Sequence, residues 1–495
     1  MKKLSYALVV YLVLGLTFGS CNKNDEITPD IVEIVKLENP INNFIWKGMN
    51  SWYNWQSNVP NLANTKDDNL DAYNTFLNGY STPDDLFYSL LFQEGTTDRF
   101  SWIVDDFVAL NNSFQGISKS FGMRLQAVLL ENKVDIIFYV RYVAPNSPAS
   151  DAGIIRGNII NALDGIVLNE GNYSATVSKL SNETVTLSIV SENGGILTPI
   201  EDKTITAIQL SEDPVYFKTV FPDISGKKVG YLVYNGFRSS YNDELNAAFA
   251  DFKNEGIDEL VLDLRLNGGG SVLTSAYLAS MIDASAGSET FAKLTFNAKH
   301  SIENGSYTFQ NTLSVYDTNG TKTGEQAINR LSNISQLYVL TSGSTASASE
   351  MIINGLKAFM PVKVIGTTTY GKNVGSITLY DSPSSDYTSE TSANSAHLYA
   401  MQPIVFQIYN KDGQSDYING FVPDIEVKEY QFWNTILPFG DENEVVLKAA
   451  LDDIRGITAK QVKSLKFSEI KEIEVSKLEK RFDKEMYITD EFFNQ

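Results

Sequence analysis

A chain of 495 residues is long enough to hold several domains, each burying its own core. A formal charge of −21 excludes a partner recruited through a basic surface, nucleic acid above all, and favours solubility. One cysteine leaves no disulfide to form, and two histidines with no Cys, His or carboxylate cluster at ligand spacing imply neither a metal nor a cofactor.

The first element is "MKKLSYALVVYLVLGLTFGSC": two lysines, an apolar run too short for a confident membrane span, then small residues before Cys21. This order resembles a bacterial lipoprotein signal. The resemblance implies removal of residues 1–20, lipidation of Cys21 as an anchor, and export to the cell envelope, on the periplasmic or surface face of the outer membrane. Loss of Lys2 and Lys3 with the signal would take the charge to −23. Residues 21–38, with "NKNDEITPD", read as a solvated acidic tether.

Residues 39–115 carry Trp46, Trp52, Trp55 and Trp102 among apolar residues at helical spacing, which predicts a helical N-terminal domain with an aromatic core. Residues 116–213 turn to short β-rich runs, "RLQAVLL", "VDIIFYVRYV" and "ETVTLSIV". Within them, "VAPNSPASDAGIIRGNIINALDGIVL" resembles a PDZ domain of the bacterial type, with Asn158 where relatives usually carry Asp. By that resemblance the amides around Phe121, Gly122 and Met123 in "SFGMRL" would receive the terminal carboxylate of a peptide added as a strand.

From 214 to 455 strands and helices alternate, predicting a crossover α/β core. "KVGYLVYN" and "IDELVLDL" read as strands flanking the helix "YNDELNAAFADFKNEG". "RLNGGGSV" is a glycine loop opening the helix "LTSAYLASMI", and "QLYVLT" is a strand leading into "SGSTASASE". The polar stretch 297–330 reads as an insertion or long loop. Residues 456–495, rich in Lys and Glu, read as a surface-lying helical extension.

The stretch Thr341–Glu350 places hydroxyls at a strand-to-helix turn, where a nucleophile can be presented, although Ser347 and Glu350 also fit a helix capping box. No base lies among them. Taken with "TYGKNVG", "DLRLNGGG" upstream and "GFVPDIEV" downstream, this stretch resembles the C-terminal processing, or tail-specific, serine peptidases, whose core is related to that of the tricorn protease. The resemblance runs from the tryptophan-rich region to Val427. It implies a multidomain α/β protein with a helical N-terminal domain, a PDZ-like β-rich domain and a crotonase/ClpP-like serine peptidase core.

By the same resemblance Ser347 is the nucleophile and Lys372 its general base, with no cofactor. The backbone amides of Ala348 and Gly269, or its neighbour Gly268, form the oxyanion site, and Glu350 supports the dyad or merely caps the helix. As a base the lysine must be neutral, which calls for burial to bring it below the ~10.4 of a free lysine. Ser376 stands where many relatives carry a glutamine four residues after the lysine, so a Ser-Lys dyad is expected. His300 and His397, the other conceivable bases, lie in polar, loop-like stretches. The expected activity is hydrolysis of proteins with exposed, unstructured C-termini through an acyl-enzyme. A non-catalytic, peptide-binding envelope lipoprotein is the alternative, and a crotonase-like acyl-CoA enzyme fits poorly with export and a PDZ domain.

Overall fold

The computed structural model describes residues 35–317, 320–332, 334–457, 470–473, 481–489 and 492–493. The expected signal at 1–20, Cys21 and the tether up to residue 34 lie outside the described residues.

Helix Pro40–Trp52 starts where Asn39 caps the Ile41 amide and Pro40 sets the first turn. It buries Phe44, Ile45, Trp46, Met49 and Trp52 and packs against helix Pro83–Ser89, itself closed by a Thr82–Asp85 capping box. These aromatic residues share one continuous core with Leu262, Val339 and Ile352, so the N-terminal region is welded to the α/β core. Trp102 departs from the expected helical setting and lies on the strand Trp102–Val104.

The α/β core is built on a six-stranded sheet ordered Val215–Ile224, Lys227–Tyr234, Glu259–Asp263, Leu337–Thr341, Val362–Gly366 and Ile425–Glu426. All neighbours are parallel except the first pair. Leu337 and Val339 face the large core, whereas Tyr338 and Leu340 face a second cluster covered by helix Val445–Ile454. Both faces are buried, which is why these strands read as unbroken apolar runs.

The β-rich region forms an antiparallel sheet in which Met123–Leu129 pairs Ile136–Val143, with Ile159–Leu163, Thr184–Asn193 and Ile196–Thr206 following. It has a core of its own, around Phe138, Val140, Ile160 and Leu187.

Two expectations meet a different outcome. The stretch 297–330 is not one long loop: it folds into short strands Gly305–Thr308, Thr312–Tyr316 and Lys322–Ala327, the last two paired as a ribbon. Of the helical extension expected over 456–495, the described residues form only one 3-10 turn, Arg481–Lys484, and otherwise short strands. Lys471–Ile473 joins the open edge of the β-rich sheet through Met123–Leu129, and Met486–Tyr487 enters a second six-stranded sheet between Gly270–Ser271 and Val374–Ser376. A Lys/Glu-rich composition favours helix only weakly, and available strand edges override it.

Candidate active site

The strand Leu337–Thr341 delivers the chain to a turn in which Ser347 adopts φ 64° and ψ −119°, and helix Ala348–Leu356 follows at once. A side chain with a β-carbon is held there at a cost of about 1–3 kcal/mol, and only where the surroundings enforce it. Neighbouring hydroxyls supply the enforcement. Thr341 Oγ1 donates to the Thr367 carbonyl (2.8 Å), Ser342 Oγ to Arg265 (2.6 Å), Thr345 Oγ1 to Leu264 (2.8 Å) and Ser349 Oγ to Asn267 (3.0 Å). The hydroxyl-rich stretch is thus stitched to the segment that carries the glycine loop.

Ser347 is fully buried and its Oγ has no hydrogen-bond partner. Ser347 and Glu350 stand as in a capping box, with Glu350 Oε2 accepting the Ser347 amide at 2.9 Å, but the serine hydroxyl itself makes no hydrogen bond. A buried hydroxyl left unmatched costs about 1–3 kcal/mol and calls for an explanation other than capping.

Glu350 organises the turn. Its Oε2 also accepts the Lys372 amide at 2.8 Å, so one oxygen ties the backbones of Ser347 and Lys372 together. Its Oε1 accepts the Gly371 amide at 2.7 Å and Thr369 Oγ1 at 2.5 Å. Burial pushes this carboxyl up to about 6 against the pull of those donors.

Lys372, 1% exposed, donates from Nζ to the Lys484 carbonyl (3.0 Å) and pairs with Glu485 Oε2 (3.2 Å), 5.1 Å from the centre of the Phe100 ring. Ser376 Oγ donates to that same Glu485 oxygen at 3.0 Å, and Trp102 Nε1 donates to Glu485 Oε1 at 2.7 Å. Ser376 therefore meets the lysine through a shared carboxylate. Sequence reasoning missed Trp102, Thr369, Lys484 and Glu485 as members of this cluster. Glu485 lies 113 positions beyond Lys372 in a segment without a motif, and nothing local could have flagged it.

The glycine loop lies beside the turn. A β-carbon built on Gly269, at φ 117°, would stand 2.7 Å from Ser347 Cβ and 3.0 Å from the Ala348 amide nitrogen. The Gly269 amide donates to Asn267 Oδ1 at 2.9 Å, the Gly270 amide donates to the Glu485 carbonyl at 2.6 Å, and Gly268 lies against the Asp483 carbonyl.

Phe121 and Met123 line, with Gly268, Gly269 and Glu485, a cavity of about 570 Å3. Between them the Gly122 amide donates to Ser120 Oγ (2.9 Å) and its carbonyl accepts the Ala144 amide (2.7 Å). The histidines are engaged elsewhere. His300 Nε2 lies 2.9 Å from Ser51 Oγ and its ring stacks on Trp52 at 3.5 Å, while His397 Nε2 lies 3.2 Å from Asp381 Oδ2. Cys21 lies outside the described residues.

Comparison with known proteins agrees with this arrangement. The profile of "Peptidase family S41" matches residues 228–427, and that of the "Peptidase S41 N-terminal domain" matches residues 40–102. A carboxyl-terminal-processing protease of Picosynechococcus is 26% identical over 46% of this chain and 49% of its own length. A Staphylococcus aureus protein named as a CtpA-like serine protease is 24% identical over 74% of this chain and 61% of its own. The chain thus aligns with less than two thirds of the length of these curated relatives. A solved structure from Bacteroides fragilis, named as an S41 protease, is 29% identical with a TM-score of 0.64, covering 84% of this chain and 97% of that one. With both S41 profiles in their places and the serine turn, lysine and glycine loop gathered inside the larger, the chain belongs to peptidase family S41.

Proposed function

We propose that this chain is a serine endopeptidase of the C-terminal processing type, hydrolysing peptide bonds in proteins with exposed, unstructured C-termini. The observation that carries this reading is the Glu350 oxygen that joins the Ser347 and Lys372 amides beside a serine hydroxyl with no partner. Ser347 Oγ attacks the scissile carbonyl and passes its proton to neutral Lys372, which returns it to the departing amine; water then hydrolyses the acyl-enzyme. The Ala348 amide, at the positive end of its helix, meets the oxyanion together with an amide of the glycine loop. Gly270 suits the second place better than Gly269 or Gly268, because its amide already holds a peptide carbonyl whereas the Gly269 amide is spent on Asn267.

The finer architecture belongs to the same proposal: a PDZ-like module that presents chain ends and a crotonase/ClpP-like core that cuts them. Supporting it, Phe121 and Met123 border the cavity that reaches the glycine loop. Export and an envelope anchor through Cys21 complete the reading and rest on the leader sequence alone.

The test is Ser347→Ala against an unfolded protein substrate. Cleavage should vanish without a fall in melting temperature, since the hydroxyl removed makes no bond. Ser349→Ala, which loses a bond to Asn267, should stay active at a stability cost of about 0.5–1.5 kcal/mol. The reverse pattern would place the nucleophile at Ser349.

A further inference from the structure

A peptidase whose nucleophile and proton acceptor are both sealed from solvent must have something over them, and here the cover is the chain's own C-terminal segment. Met486–Tyr487 runs parallel between Gly270–Ser271 and Val374–Ser376, pairing Gly270 with Met486 and both Ser271 and Ser376 with Tyr487. The Glu485 carbonyl takes the Gly270 amide, and a β-carbon on Gly269 would stand 2.5 Å from that carbonyl and 2.7 Å from Ser347 Cβ, so tail and serine face each other across one glycine. Lys372 Nζ is turned to the Lys484 carbonyl and the Glu485 carboxylate and makes no hydrogen bond to the serine hydroxyl. Ser347 Oγ accordingly bonds to nothing.

The same tail also lies along the β-rich module. Lys471–Ile473 adds antiparallel to the edge strand Met123–Leu129, Gln126 Nε2 donates to the Ile473 carbonyl at 3.2 Å, and Arg124 pairs with Asp483 at 3.2 Å. Strand addition to an open sheet edge is how an extended peptide is captured. One such addition at the module edge, and one insertion between Gly270–Ser271 and Val374–Ser376, put described parts of the tail both at the module and beside the serine.

We propose that the C-terminal segment is an intramolecular peptide ligand of this protein, lying where a substrate chain binds, with residues Lys471–Ile473 on the module edge and Asp483–Tyr487 in the channel over Ser347. Substrate displaces it. Release frees the Gly270 amide, uncovers Ser347 and detaches Lys372 from Glu485. The inference rests on the peptidase reading for its consequence in turnover, but the occupancy itself does not need chemistry.

Two measurements on the full chain separate the tail from the peptidase reading. In the first, Glu485→Gln removes the ion pair with little change in size, and β-casein cleavage should rise about tenfold or more, the factor set by a 1.4 kcal/mol shift in tail occupancy. Added peptide DKEMYIT, the sequence of residues 483–489, should bring the rate back down. A slower Glu485→Gln enzyme with unchanged KM would make Glu485 a permanent positioning group and overturn the proposal. In the second, amide exchange is followed on Ser347→Ala with β-casein added. Residues 470–473 and 483–489 should lose protection while Leu337–Thr341 keeps it, and undiminished protection of the tail overturns the proposal whatever the enzyme does. Loss of tail protection with no cleavage by any variant would sink the peptidase reading and leave the tail ligand standing.

Discussion

Among the described residues, two of the buried charged clusters are built on opposite terms. At the junction of the β-rich module and the core, Arg265 pairs with Asp263 (2.6 Å), Glu444 (2.8 Å) and Glu429 (2.9 Å), while Arg156 and Arg141 reach Glu429 from the module at 2.5 and 3.3 Å. Burial alone would raise the Glu429 carboxyl, but Arg156, Arg265 and Arg141 overcome it and hold the group well below the usual carboxylate range. In the cluster around Ser347 a backbone torsion is strained, a hydroxyl is unpartnered and a carboxylate is pushed upward. The first cluster is saturated and fastens two parts together; the second is left incomplete at the Ser347 hydroxyl, the atom to which the proposed function gives the attack.

That contrast can be broken at its most demanding point with Lys372→Arg. A guanidinium keeps the charge but cannot accept a proton, so kcat should fall by about 10²–10⁴-fold although the fold survives. Replacing His300 and His397 together by Gln should leave turnover nearly unchanged, because their hydrogen bonds go to Ser51 and Asp381. An active Lys372→Arg enzyme, or one silenced by the histidine pair, would move the catalytic base elsewhere.

The saturated cluster should answer in stability instead. Glu429→Ala leaves three arginines facing a void and should cost about 3–5 kcal/mol in denaturant unfolding. Because the folded Glu429 carboxyl is held below its ordinary 4.5, its contribution is present above that value and drains away as pH falls through the folded pKa. The gap between wild type and variant should therefore narrow on acidification.

Glu350 should behave with the opposite sign and on a smaller scale. Its carboxyl is raised from 4.5 to about 6, so its contribution is full below 4.5 and lost as pH rises through about 6, a change of about 2 kcal/mol relative to Glu350→Gln. Melting curves of both proteins at pH 4 and pH 7 measure it. Identical pH trends for the Glu350 and Glu429 variants would erase the distinction between the clusters.

How much of this was legible in the sequence depends on how local its cause was. The strand-to-helix turn that carries Ser347 and Glu350, and the glycine loop, are legible because strand, turn and helix follow one another within a few residues, whereas the role of Ser347 came from the resemblance; the helix Asn242–Glu255 ends at Gly256 in the left-handed conformation that its glycine suggests. Lys372 came from the company of motifs and is placed by the four donors converging on Glu350, a convergence that no spacing reveals. Glu485 was invisible, since a two-residue strand exists only by virtue of the two edges that receive it. The tail's Lys/Glu composition pointed toward helix for the same reason: propensity sees the segment and not its neighbours.

The crowding around the glycine loop also bears on how this gene can vary. A β-carbon at Gly269 would lie 2.5 Å from the Glu485 carbonyl, and one at Gly270 would lie 2.2 Å from the Phe237 carbonyl, both at φ values that L-residues avoid. Every single-base missense change in a glycine codon installs a β-carbon. These two codons thus have no missense neighbour that keeps the loop as it is, and a library of random point mutants should retain only silent changes there while tolerating replacements in the exposed ribbon Lys322–Ala327.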